Sequence, residues 1–142
     1  MASEICTVRT LAGRVRTLFN VNCQFHCEAP VLVHDPTVRI HLYRIAQEGV
    51  SNAFRRGKST RIDLHLSRKG KVITLAVEDN GIGLPPVPVN TNGIGLRVMR
   101  LRASVIGGTL LVERGKHGGT TLVCTLKQAL RPSVKDNANE RH

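Results

Sequence analysis

The sequence predicts an α/β two-layer sandwich, with a mixed sheet of about five strands covered on one face by about three helices. Apolar residues recur at helical spacing in three stretches and alternate with polar ones in five others, in mixed order along the chain. The 142 residues are the length of one domain, and 41% hydrophobic content supplies its core. Aromatics are only 3%, so aliphatic side chains must carry the packing. The expected domain is 1–128, followed by a polar tail over 129–142.

Each element has its own signal. Ile5, Val8, Leu11, Val15 and Leu18 mark a first helix. Val21 to Cys27 alternate as a strand, which puts Cys23, Phe25 and Cys27 on one face and His26 on the other. Asp35-Pro36 reads as an N-cap and first helical residue. The helix it opens reaches about Arg56, with Leu42, Ile45, Ala46, Gly49 and Ala53 in one stripe and Gly57 as a stop. Two strands follow, carrying Ile62, Leu64, Leu66 and then Ile73, Leu75, Val77, with Lys69-Gly70 turning between them. Residues 80–92, rich in Gly, Pro and Asn, form a loop before a helix that starts near Gly93. That helix buries Leu96, Met99, Ala103 and Ile106, and Gly107-Gly108 ends it. Strands at about 109–114 and 119–127 flank a glycine-rich turn and complete the sheet.

Charge and cysteine content narrow the function classes. Lys and Arg number 21 against 10 Asp and Glu, a net +11, which invites a phosphate-rich partner such as nucleic acid. The scarcity of aromatics weighs against single-strand binding, which stacks bases on such rings. No apolar run reaches the ~20 residues of a membrane span, and no signal-peptide pattern opens the chain. Cys6, Cys23, Cys27 and Cys124 form no CxxC pair, and His26 points away from Cys23 and Cys27, which argues against zinc. Free thiols fit a cytoplasmic protein.

Three features carry chemistry. Glu48 and Asn52 stand one helical turn apart, and Arg55 and Arg56 continue their face. Carboxylate, amide and guanidiniums in line suit a hard divalent cation and phosphates, since Mg2+ keeps most of its waters and takes few protein ligands. Taken alone, the helix reads better as an ordinary solvated polar face. Asp79 continues the apolar side of its strand and is followed by Asn80-Gly81-Ile82-Gly83. A carboxylate at the end of a buried face needs hydrogen-bond donors, and the amino edge of adenine offers one. Glycines beside it let a flat ring lie against the backbone, although an Asn-Gly turn at a strand end is also ordinary. Gly93-Ile94-Gly95 opens a helix, whose free N–H groups attract phosphate. Two GxG pairs split by a loop after a late strand do not match the Rossmann fingerprint, and no P-loop is present.

In order, these segments resemble the boxes of the GHKL ATPase superfamily. Residues 44–53, RIAQEGVSNA, are similar to its N box, 79–83, DNGIG, to its first glycine box, and 93–99, GIGLRVM, to its second. Gly107-Gly108-Thr109 and Gly119-Thr120-Thr121 look like its closing motifs. The RIAQE wording and the short lid resemble the catalytic domain of bacterial two-component sensor histidine kinases, in the subfamily paired with LuxR-type response regulators. The resemblance implies a Bergerat-type sandwich that binds ATP and Mg2+. It implies Asn52 as the Mg2+ ligand and Glu48 as general base toward the acceptor imidazole, or as the group that polarises it. It implies Asp79 as acceptor of the adenine amino group, with Thr120 or Thr121 near that contact. Gly81, Ile82, Gly83, Gly93, Ile94, Gly95 and Leu96 would shape the pocket and lid, and Arg55 would meet phosphate.

Arg56 stands where the subfamily commonly has His, and Gly57 where Ala is common. Arg keeps a phosphate donor but is longer and always charged. No acceptor-histidine helix is recognisable: His34-Asp35 runs straight into Pro36. The expected activity is γ-phosphoryl transfer to a histidine on a dimerisation domain outside this chain, weak or absent in the domain alone, with a response regulator downstream. The alternatives are a nucleotide-binding interaction module and a serine kinase of the anti-sigma-factor type. Nucleic acid is not expected as the main ligand, nor is membrane contact within the chain. Part of the positive charge then has a local use, because Arg55 and Arg56 would border the triphosphate.

Overall fold

A computed structural model describes residues 4–27, 31–55, 58–81, 94–115 and 118–127. The elements run α1 (Glu4–Phe19), β1 (Asn22–His26), α2 (Pro36–Arg55), β2 (Arg61–Lys69), β3 (Val72–Asp79), α3 (Ile94–Val105), β4 (Gly108–Arg114) and β5 (Thr120–Lys127). They form the expected sandwich. The sheet order is β1-β2-β3-β5-β4, with β1 parallel to β2 and every other pair antiparallel. Among the described residues no helix is long and apolar enough to cross a membrane.

Alternation along the strands decides which face is covered. Leu64 pairs with Val77, and Val77 with Leu122, so the buried residues of three strands line up on one side. Cys23, Ile62, Leu66, Ile73, Leu75, Cys124 and Leu126 complete that side. The helices lay Val8, Leu42, Ile45, Ala46, Met99 and Ala103 onto it, each almost wholly buried. Gly49 brings α2 close to the sheet, since a Cβ there would stand 3.1 Å from Val77 Cγ2. Burial pushes the thiols of Cys23 and Cys124 up to about 11, so both pack as small apolar groups and not as nucleophiles.

Local chemistry sets the element ends. The carboxylate Oδ1 of Asp35 accepts the Thr37 N–H at 2.8 Å, the cap expected for α2. The hairpin turn sits one residue later than expected. Lys69 still pairs with Val72, and Gly70-Lys71 makes the turn because Gly70 takes φ +58°. Gly57, read as the stop of α2, lies outside the described residues.

Among the described residues no helix covers the other sheet face. There His26 Nε2 meets Asp63 Oδ1 at 2.7 Å, Arg61 Nε meets Asp63 Oδ2 at 2.9 Å, and His65 Nε2 meets Glu78 Oε1 at 3.2 Å. The two imidazoles stack with centroids 4.6 Å apart. Partial burial works to raise the Asp63 carboxyl, but its hydrogen bonds from Arg61 and His26 outweigh that and hold it below the usual carboxylate range. A depressed carboxyl stabilises the fold above its unfolded value of about 4 and stops doing so as pH falls through the folded value. Asp63→Asn should therefore lower the melting temperature slightly at pH 7, and the gap to wild type should close on acidification below about pH 3. A gap that stays constant across a melting series from pH 7 to pH 2 would contradict this assignment.

Candidate functional site

Val77 is buried against the helices, so Asp79, two residues on, emerges on the same side at the end of β3. Its Oδ1 accepts the Gly81 N–H at 2.8 Å and lies 3.4 Å from the Thr120 nitrogen. The carboxylate is half-buried and keeps acceptor capacity beyond these contacts. Gly119 packs against the backbone of Asp79 and Asn80 so closely that any Cβ would overlap the Asp79 carbonyl oxygen. Thr121 pairs with Glu78 and so projects from the uncovered face, whereas Thr120 belongs to the Asp79 side.

The second part of the site lies between α2 and α3. Glu48 and Asn52 are half-buried, and neither makes a side-chain hydrogen bond among the described residues. A Cβ on Gly95 would stand 2.5 Å from Glu48 Oε2 and 3.3–3.4 Å from the Asn52 amide atoms. The missing side chain thus lets the first turn of α3 face a carboxylate and an amide directly. That turn carries N–H groups with no intrahelical partner and the positive end of the helix dipole. Leu96 is buried behind it. Arg55 is exposed and its Nε donates to Ser51 Oγ at 2.9 Å. Arg56, Ile82, Gly83, Gly93 and the side chain of Ile94 lie outside the described residues.

A cleft of about 370 Å3 opens at the end of β3, lined by Arg61, Asp63, Glu78, Asp79, Asn80, Gly115 and Thr121. Glu48, Asn52 and Gly95 do not line it. Among the described residues no three His, Cys, Asp or Glu side chains converge on a point that could hold a metal ion.

Asn80 has a role that sequence reading did not assign. Its Oδ1 accepts the N–H groups of Thr60 and Arg61, both at 3.0 Å, and its Nδ2 donates to Thr60 Oγ1 at 2.9 Å. The side chain clamps the start of β2 to the end of β3 and steadies the residue after Asp79. An Asn between a strand-ending Asp and a Gly is the signal that could have suggested it, because its amide can replace a backbone rung.

Residues 37–130 match the family model described as histidine kinase-, DNA gyrase B-, and HSP90-like ATPase. The chain belongs to this ATPase family. Among curated relatives, this ATPase domain is 38% identical over 104 residues to the sensor histidine kinase LiaS of Bacillus subtilis, covering 73% of the chain and 28% of LiaS. It is 35% identical over 86 residues to the nitrate/nitrite sensor protein NarX of Escherichia coli, covering 61% of the chain and 14% of NarX. The domain therefore spans under a third of these relatives. Its fold is that of the ATP-binding domain of PrrB from Mycobacterium tuberculosis, with TM-score 0.73 and 20% identity over 91% of this chain and 96% of that one. It is also that of the histidine kinase domain of the blue-light activated kinase from Erythrobacter litoralis, with TM-score 0.74 and 19% identity over 88% of this chain and 61% of that one.

Gly119 and Gly95 should respond differently to substitution. Gly119→Ala places its methyl in backbone and should cost at least about 2 kcal/mol of stability. Gly95→Ala meets the movable end of Glu48, so it should fold with nearly the wild-type melting temperature. Thermal denaturation of the two variants checks the contrast, and equal losses would contradict it.

Proposed function

We propose that this chain binds Mg-ATP at the junction of β3, α2 and α3 and presents the γ-phosphate to a histidine on a helical dimerisation domain outside the chain. The observation that carries the reading is the seating of Gly95 against Glu48 and Asn52. It brings the first turn of a helix against an amide and a carboxylate, a set of groups suited to a phosphate and a hard cation. The family membership and the sensor kinases among the relatives support the same reading over the interaction-module and serine-kinase alternatives.

In this reading Asn52 holds Mg2+ through its amide oxygen. Bound there, Mg-ATP supplies the electrophilic phosphoryl group. Asp79 orients the nucleotide by accepting the adenine amino group. Its contacts with Gly81 and Thr120 keep the carboxylate facing the pocket. Thr120 or Thr121 borders that contact, and Gly81, Ile82, Gly83, Gly93, Ile94, Gly95 and Leu96 shape the walls and lid. Arg55 and Arg56 neutralise phosphate charge. Glu48 accepts or polarises the proton of the incoming imidazole, and positioning with charge neutralisation provides most of the rate enhancement. The downstream partner is a response regulator, of the LuxR type by subfamily resemblance, and the catalytic domain spans 1–128.

Calorimetric titration tests this on wild type, Asp79→Asn and Asn52→Ala, each with and without Mg2+. Asp79→Asn puts a donor where an acceptor is needed, so nucleotide affinity should fall at least about tenfold. Asn52→Ala should bind nucleotide but lose the advantage conferred by Mg2+. Wild-type affinity in Asp79→Asn would overturn the pocket assignment. Addition of a cognate dimerisation helix pair should yield acid-labile phosphohistidine, and its absence despite ATP binding would overturn the transfer step.

A further inference from the structure

Helix α3 meets α2 at two places along their shared seam. At one, Gly95 faces Glu48 and Asn52. At the other, Arg102 Nη1 lies 3.3 Å from His41 Nδ1, both residues half-buried. Residues 95 and 102 are seven apart, as are 48 and 41, so the contacts sit two helical turns apart on antiparallel helices, a separation of about 10 Å.

Nothing else of this kind joins the two helices: among the described residues, this is the one side-chain hydrogen bond between α2 and α3. Beside these contacts both helices bury apolar residues in one shared core, Leu42 and Ile45 from α2 and Met99 and Ala103 from α3. Apolar contact is non-directional and tolerates small slides of one helix along another. A hydrogen bond has a preferred length and direction, so it can select one register among several that bury similar area.

The geometry points to His41 and Arg102 as a positioning latch that sets the register of α3 on α2 and thereby how closely Gly95 approaches Glu48 and Asn52. Neither residue is among those assigned to the proposed nucleotide site. The latch also fixes a proton. Guanidinium has donors and no acceptor, so the lone pair must belong to His41 Nδ1, and the neutral ring must carry its hydrogen on Nε2.

The local claim concerns Gly95, and only its consequence for nucleotide rests on the Mg-ATP reading above, so the test separates them. The full chain, labelled with 15N, is compared with His41→Ala, His41→Asn and Arg102→Met. The wild-type His41 ring nitrogens should report the Nε2–H tautomer. His41→Ala and Arg102→Met should both shift the Gly95 amide resonance, while His41→Asn, whose amide oxygen can replace Nδ1 as acceptor, should restore it. Melting temperatures are read alongside, to confirm that the variants fold. Mg-ATP affinity should weaken about fivefold in His41→Ala and recover in His41→Asn. An Nδ1–H tautomer, or a Gly95 resonance unmoved by His41→Ala, would overturn the latch. A Gly95 resonance moved in His41→Ala and Arg102→Met, with a wild-type chain that binds no nucleotide, would support the latch and refute the Mg-ATP reading. Nucleotide binding equal in wild type and His41→Ala would limit the latch to structure and refute its functional consequence.

Discussion

The period-two alternation of β3 is the constraint on which the site depends. Ile73, Leu75 and Val77 must face the helices because they supply the centre of the core. Once they do, Asp79 has no choice of side. A slip of one residue would bury Thr74 and Ala76, expose the apolar set and turn Asp79 to the uncovered face. The pairing of β3 with β2 and β5 fixes that register from both flanks.

Around Asp79 the backbone does what side chains do elsewhere. Gly119 comes into contact with its carbonyl, the Gly81 and Thr120 amides point at its carboxylate, and Asn80 bridges to β2. Burying part of an ionised group is costly unless donors meet it, and two amide groups offset some of that cost without adding a cation. The carboxylate thus stays an acceptor for a neutral edge such as an exocyclic amine. A nearby Arg would have taken that capacity. On the opposite face Asp63 shows that outcome, since Arg61 and His26 already occupy its oxygens.

Most of the fold was legible in the residues themselves. Asp35-Pro36 capped its helix, the alternation of residues 62–66 and 73–77 marked two strands, and Gly107 ended α3, because each rests on local chemistry that tertiary context did not override. The hairpin turn was displaced by one residue, since Lys69 extends the ladder before Gly70 takes its left-handed conformation. Glu48, Asn52 and Asp79 were readable as candidates from spacing and strand polarity. That Gly95 joins the first two was not, because helix-to-helix approach depends on packing across more than forty residues of chain. The Asn80 clamp and the His41–Arg102 contact escaped for the same reason. Each requires partners brought together by the sheet or by a helix pair, and a polar residue in sequence does not name its partner.

The position of β3 within the sheet has a dynamic consequence. It is hydrogen-bonded to neighbours on both flanks and covered by α2, so its amides open to solvent only with the whole domain. Asp79 is attached to that strand and shares its stillness. Among the described residues, Gly95 belongs to a helix held on α2 by apolar contact and one side-chain hydrogen bond, and such a helix can shift without the domain unfolding. In the proposed nucleotide site Asp79 is therefore the fixed side and α3 the adjustable one, and adjustments to its fit fall to α3.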